Sequence, residues 1–94
     1  LETAAIMKVL LRLFITGHTT SLEATLAKIR GVCEGELRLE YELEVVDLLE
    51  NPGAAERHTI TITPTLVREL PLPMSRITGD VSSHAQLHSL LGKT

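Results

Sequence analysis

Aromatic side chains are nearly missing from this chain: Phe14 and Tyr41 are the only two, and there is no Trp. Stacking platforms for single-stranded nucleic acid are thereby excluded, and the hydrophobic core has to be aliphatic. A basic surplus is missing as well. The formal charge is −3 and the nine Lys and Arg are scattered, so the phosphates of DNA or RNA are not the expected partner. Cys33 stands alone, which excludes a disulfide within the chain and a CxxC redox pair, and fits a cytoplasmic protein. Apolar runs long enough to span a bilayer are also lacking, and the N-terminus has no basic region, apolar stretch and cleavage site in order. No membrane partner is expected. What remains is 94 residues, enough for one domain with a modest core. The opening "LETAAI" precedes Met7 and reads as an upstream remnant, leaving 7–94 as the domain.

The domain is ordered by its apolar periodicity. "MKVLLRLFITG", Met7 to Gly17, is a nearly continuous branched run, the pattern of a central strand buried on both faces. "TTSLEATLAKIRGVCEG" then places Leu22, Leu26, Ile29 and Cys33 at helical spacing, with Thr20 and Glu23 as a capping box and Gly35 as the stop. "LEYELEVVDLLE" alternates, with Leu39, Tyr41, Leu43 and Val45 on one face and Glu40, Glu42 and Glu44 on the other. Asn51-Pro52 opens the short "GAAERHT" helix. In "TITITPTLVREL" the proline cannot donate to a ladder, so Pro64 marks a strand entrance and Thr65 to Glu69 the strand. A proline-bracketed turn, "PLPMS", leads to a strand over Arg76 to Gly79. The last helix is expected over residues 81–91, with Leu87, Leu90 and Leu91 on one face.

The order is βαβαββα. Its first crossover implies a parallel pair and the Pro-rich connection an antiparallel hairpin, so four strands form a mixed sheet with helices on both faces. This is the thioredoxin-like arrangement, an α/β fold in which Pro64 faces the start of the first helix. Where thioredoxin-like enzymes carry CxxC, this chain has "GHTTS".

Several pieces at matching spacing resemble one family. "TPTLVRELPLPMSRITGD", Thr63 to Asp80, is similar to the Thr-Pro-Thr-Leu segment, proline-spaced turn and Ile-x-Gly-Asp ending of KaiB, the thioredoxin-like partner of the circadian ATPase KaiC. "GHT" and "VVDLLENP" agree as well, and the resemblance runs from about Lys8 to about Leu91. It implies a non-enzymatic regulatory protein that docks on a KaiC-type ATPase ring, in circadian or stress timing, with a KaiA-like or kinase protein and self-association into a homo-oligomer as further partner classes. It implies no cofactor. It also implies two folds: the thioredoxin-like one, and a resting tetramer of order βαββααβ with the second half refolded. "SSHAQLHSLLGK" lacks β-branched residues and Ile77-Thr78 suits a strand, so local propensity favours the thioredoxin-like form. Gly79 and Asp80 are the expected fold-switch positions. Where typical cyanobacterial members carry basic partner-facing residues, an ungapped match puts Ala24, Glu44, Thr59 and Ser75, and Arg76 keeps one positive charge.

The partner surface implied by the resemblance is Glu44, Val46, Asp47, Glu50, Asn51, Glu56, Arg57, His58 and Arg76. The row Glu40, Glu42, Glu44 reads equally as a solvated face or a docking face for a basic partner. Cys33, on the apolar stripe, reads as a buried structural thiol. His84 and His88 have the spacing of a helical metal pair, but with no third ligand nearby in sequence they read as a helix flank, and no metal site is assigned. His18 sits where thioredoxins place their chemistry. With neither nucleophile nor acidic partner in sequence reach, it reads as a turn residue. Two further functions compete: a thiol or glutathione-binding enzyme of the thioredoxin superfamily, and a sensory domain of a histidine kinase.

Overall fold

The computed structural model describes residues 8–92; Met7, and the reading of residues 1–6 as a remnant, lie outside the described residues. Strand β1, Val9–Ile15, is central in a four-stranded sheet of order β2-β1-β3-β4. It runs parallel to β2 (Tyr41–Asp47) and antiparallel to β3 (Thr65–Leu70), which pairs with β4 (Ser75–Thr78). The thioredoxin-like mixed sheet expected from the sequence is the architecture found, not the βαββααβ order.

Alternation along β1 assigns the faces. Val9, Leu11, Leu13 and Ile15 join Ile29, Val32, Cys33, Leu66, Val81, Leu87, Leu90 and Leu91 in the larger core, beneath helices α1 (Leu22–Arg30) and α3 (His84–Leu91). On the other face Phe14 packs with Ala54, Ile60 and Val67 under the short helix α2 (Gly53–Arg57). The register shifts between Leu10 and Leu11, whose β3 partners are Leu70 and Arg68, leaving Glu69 between them without a β1 partner. Arg68 reaches under α3, donating to the Leu90 carbonyl at 2.6 Å and to the Pro73 carbonyl at 2.7 Å. That ties the last turn of α3 to the β3–β4 hairpin.

Several element ends depart from expectation: α2 stops at Arg57 and not Thr59, β3 runs on to Leu70, β4 starts at Ser75, and larger changes fall elsewhere. The capping box at Thr20 and Glu23 is not formed: Ser21 precedes α1 with helical backbone angles and no side-chain cap, and its hydroxyl lies 2.9 Å from Thr19 Oγ1. A backbone turn has replaced the cap, with the Leu22 N–H on the Thr19 carbonyl at 3.1 Å. Gly35 does not stop the helix. The chain continues from α1 as a π-helical segment, Gly31–Glu36, closed by the Leu37 N–H on the Val32 carbonyl at 2.9 Å. The wider turn lets the adjacent Val32 and Cys33 both enter the core. Residues 81–83 are a turn, because Val81 is drawn into the core and Ser83 takes an extended backbone whose Oγ accepts from the Gln86 N–H. Finally, β4 ends at Thr78.

Gly79 follows at φ +83°, a conformation that L side chains rarely adopt, and donates to the Pro64 carbonyl at 2.9 Å. A Cβ there meets nothing within 4 Å, so the obstacle to substitution is backbone strain alone. Gly79→Ala is therefore expected to lower stability by about 1–2 kcal/mol, with Gly79→Asn milder because Asn tolerates this region. Urea unfolding midpoints of the three proteins check the order.

Candidate functional site

Three loops meet where β1 and β2 end. Gly17 takes φ +79°, and a Cβ there would come within 3.2 Å of Leu49 Cδ1. Asp47, the last residue of β2, fixes this junction: its Oδ1 accepts from the Gly17 and Leu49 N–H groups, both at 2.9 Å. These donors hold its carboxyl below the ordinary 3.8, and its side chain is only 9% exposed. Oδ2 lies 3.5 Å from His18 Nδ1. His18 thus has the acidic partner that the sequence reading did not find, supplied from the end of the neighbouring strand.

The acidic row of β2 does not stand alone. Register places Arg12 opposite Glu44, and Arg12 Nε lies 3.2 Å from Glu44 Oε1 and 3.4 Å from Glu69 Oε2. His58 closes the network, with Nε2 3.4 Å from Arg12 and Nδ1 3.8 Å from Glu69 Oε2. Glu42 pairs with Lys8 at 2.9 Å. Exposed pairs of this kind contribute roughly 0–1 kcal/mol each. Their larger effect is on the surface potential, since two of the three row carboxylates face cations, Arg12 in β1 and Lys8 just before it.

Beyond β2 the surface is built on α2. Glu50, Asn51, Glu56 and Arg57 are exposed, as are the apolar Leu49 and Ile62, while Val46 packs partly against the smaller core. His58 is half-buried, its ring 5.0 Å from that of Phe14. Arg76 lies in β4, in the strand expected there, and its guanidinium donates to the Thr59 and His58 carbonyls at 2.9 and 3.0 Å. Arg76 therefore bridges β4 to the chain leaving α2. Asp80 braces the next turn, accepting from the Ser82 hydroxyl at 3.0 Å. The structure brings Glu44, Asp47, His58 and Arg76 into bonded contacts around α2 and leaves Glu50, Asn51, Glu56 and Arg57 on its outer side.

A separate cleft of about 280 Å³ lies where Pro64 faces the start of α1. Thr16, Thr19, Ser21, Thr25 and Thr63 line it together with the apolar Leu13, Ile15 and Leu22, and Thr16 Oγ1 is 2.8 Å from Thr63 Oγ1. Cys33 is not among its lining residues. The thiol is buried in the larger core, and burial pushes it up to about 11. Among the remaining histidines, the absence of a third ligand beside His84 and His88 is overturned: Glu36 Oε1 is 2.8 Å from His84 Nε2 and 2.6 Å from His88 Nε2. Glu36 lies 48 and 52 residues from His84 and His88 along the chain, so spacing along one helix could not reveal it.

A family profile described as "KaiB domain" matches residues 12–93. The chain belongs to the KaiB family. It is 41% identical over 76 residues to "Circadian clock protein KaiB3" of Synechocystis sp., covering 81% of this chain and 74% of that protein. "Circadian clock oscillator protein KaiB" of Synechococcus elongatus is 38% identical over 78 residues, covering 83% of this chain and 76% of its own. In fold, this KaiB-family chain is similar to the N-terminal domain of Synechococcus elongatus SasA, with TM-score 0.74, 21% identity and coverage of 99% and 91% of the two chains. It is likewise similar to mitochondrial thioredoxin 3 of Saccharomyces cerevisiae, with TM-score 0.69, 15% identity and coverage of 92% and 78%. At these identities the two structures establish the fold alone.

Two predictions follow from the KaiB-fold geometry. The Asp47 carboxyl is depressed in the folded chain, so its charge stabilises above the ordinary value of 3.8 and that stabilisation is lost as pH falls through the folded value. Asp47→Asn should unfold at lower urea than the parent near neutral pH, and the difference should shrink on acidification below the ordinary carboxylate range. Cys33, a single buried thiol, cannot complete two-thiol exchange. Insulin reduction should stay at background and be unchanged in Cys33→Ser.

Proposed function

We propose that this chain is a non-enzymatic regulatory protein of a circadian or stress timing system, acting in the cytoplasm by docking on the ring of a KaiC-type ATPase and modulating it. The observation that carries this reading is the KaiB match over residues 12–93, which spans β2, α2 and β4, the elements that build the exposed end of the sheet. The exposed Glu50, Asn51, Glu56 and Arg57, with uncovered Leu49, combine charge with an apolar contact, as a docking rim needs. Val46, Asp47 and His58 act from within, holding β2 and α2 in one arrangement, while the exposed Glu44 and Arg76 add a charge of each sign to the rim. Gly79 and Asp80 are the pivot of the family's refolding in this reading, at the hand-over from β4 to α3. A KaiA-like or kinase partner and self-association belong to the same surface.

The thiol-enzyme reading is weaker, because Cys33 is not among the residues lining the cleft at Pro64 and its thiol lies in the core. No helix among the described residues is long and apolar enough to cross a membrane.

Like charges brought together at an interface cost several kcal/mol, on the order of hundreds-fold in affinity. The chain is therefore expected to bind a cognate ATPase with a basic docking surface and to bind a cyanobacterial KaiC weakly. Size-exclusion co-elution with both rings, with Glu44→Lys and Glu50→Lys alongside, measures this. Either reversal should weaken the cognate complex about tenfold or more, equivalent to about 1.4 kcal/mol. Equal binding to both rings, indifferent to both reversals, would remove the acidic surface from the account; failure to bind any KaiC-type ring would remove the function.

A further inference from the structure

Glu36 closes the π-helical segment that continues α1, while His84 and His88 stand one turn apart on α3. The three meet only through the fold, 48 and 52 residues apart in sequence. The two rings lie face to face at a tilt, with centroids 4.3 Å apart and planes at 39°, so that both Nε2 atoms point at the same carboxylate oxygen. All three ligand atoms fall within 4.8 Å of one another. A carboxylate alone needs no such convergence of two imidazoles. The pair would be equally well solvated on the outer flank of a helix, and both side chains are instead turned onto one acceptor.

Two imidazole nitrogens with one carboxylate oxygen form a borderline donor set. Hard cations such as Mg²⁺ and Ca²⁺ prefer all-oxygen surroundings, whereas Zn²⁺ and its first-row neighbours take this mixture. Bonds of about 2.0–2.2 Å in a tetrahedron separate neighbouring donors by roughly 3.3–3.6 Å. Reaching that from 2.6 and 2.8 Å needs each contact to open by several tenths of an ångström. The side chains are 46%, 56% and 37% exposed for Glu36, His84 and His88, so rotamer adjustment meets no packed core. The same exposure leaves room for water, or for a donor from another molecule, at a fourth position.

We propose that Glu36, His84 and His88 form a binding site for a zinc-class divalent cation that clips α3 to the end of α1. The site lies in the helical layer on the other face of the sheet from α2, so it is separate from the proposed docking surface and does not rest on that function. The cation supplies a link between elements that otherwise meet through Leu87, Leu90 and Leu91 on Ile29, Val32 and Cys33. Its binding also holds α3 in its helical, docked position, since the ligands at positions 84 and 88 converge only when that segment is a helix.

The test uses tag-free protein stripped with chelator and titrated with Co²⁺, followed by competition with Zn²⁺. A visible absorption spectrum of four-coordinate intensity, saturating at one equivalent and abolished by Zn²⁺, is expected. Glu36→Gln, His84→Ala and His88→Ala should each weaken binding by about tenfold or more, while His18→Ala leaves it unchanged. Far-UV circular dichroism establishes that each variant is folded. Zn²⁺ should also slow amide hydrogen exchange across residues 84–91 in the parent and not in Glu36→Gln. Absence of a Co²⁺ spectrum in the parent, or a spectrum that survives in the double variant His84→Ala, His88→Ala, overturns the site. Binding that is indifferent to Glu36→Gln, with no change in exchange, overturns the clip.

Discussion

Everything in this fold depends on β1 burying both of its faces. With Phe14 the only phenylalanine, two cores have to be assembled from the alternate residues of one seven-residue strand. Leu11, Leu13 and Ile15 seed the larger core, and Phe14 alone, fully buried, seeds the smaller. Burying such a side chain contributes about 1.5–3 kcal/mol. The larger core spreads that burden over three helical segments, whereas the smaller hangs on Phe14, Val67, Ala54 and Ile60. The seating of α2, and with it the proposed docking surface, is consequently governed by one aromatic ring.

That asymmetry explains where polar groups gather. A five-residue helix cannot cover a whole sheet face, so the part of the face beyond Phe14 is left to Arg12, Glu42, Glu44 and Glu69. Arg12 stands next to the strand residues of the core, and its charge is answered from both sides, by β2 and by the unpaired Glu69 of β3. His58 joins the two regimes, one face of its ring toward Phe14 and its nitrogens toward Arg12 and Glu69. A reversal of charge at Glu44 would thus be felt along the chain to α2 as well as by a partner.

Strands were legible from sequence because alternation and branching act locally. Pro64 at the strand entrance, the Glu40, Glu42, Glu44 face and the Leu87, Leu90, Leu91 stripe needed nothing beyond periodicity. Helix ends were not. Thr20 and Glu23 satisfy a capping pattern on paper, yet a backbone turn from Thr19 supplies the first bonds instead, and Gly35 lies inside a π turn because packing of Val32 and Cys33 outweighs a local stop signal. Residues 81–83 fall outside α3 because Val81 serves the core from a turn and the helix is capped only at Ser83. The site residues that escaped reading are those whose partners are remote: Asp47 with His18, Arg12 with Glu44 and Glu69, Glu36 with His84 and His88. In each case one partner looks like an ordinary surface charge until the fold closes.

The thioredoxin-like scaffold has kept its geometry here while its reactive position has changed character. Pro64 faces the start of α1, but Cys33 is not among the residues lining the cleft between them, and the thiol lies in the core about three turns along the helical segment, where burial suppresses its ionisation. Hydroxyls without an adjacent base are poor nucleophiles at neutral pH. His18, the nearest candidate base, is turned toward Asp47, whose Oδ1 is already committed to two backbone donors. The imidazole and carboxylate that could have formed a catalytic pair instead brace the junction of β1, β2 and α2.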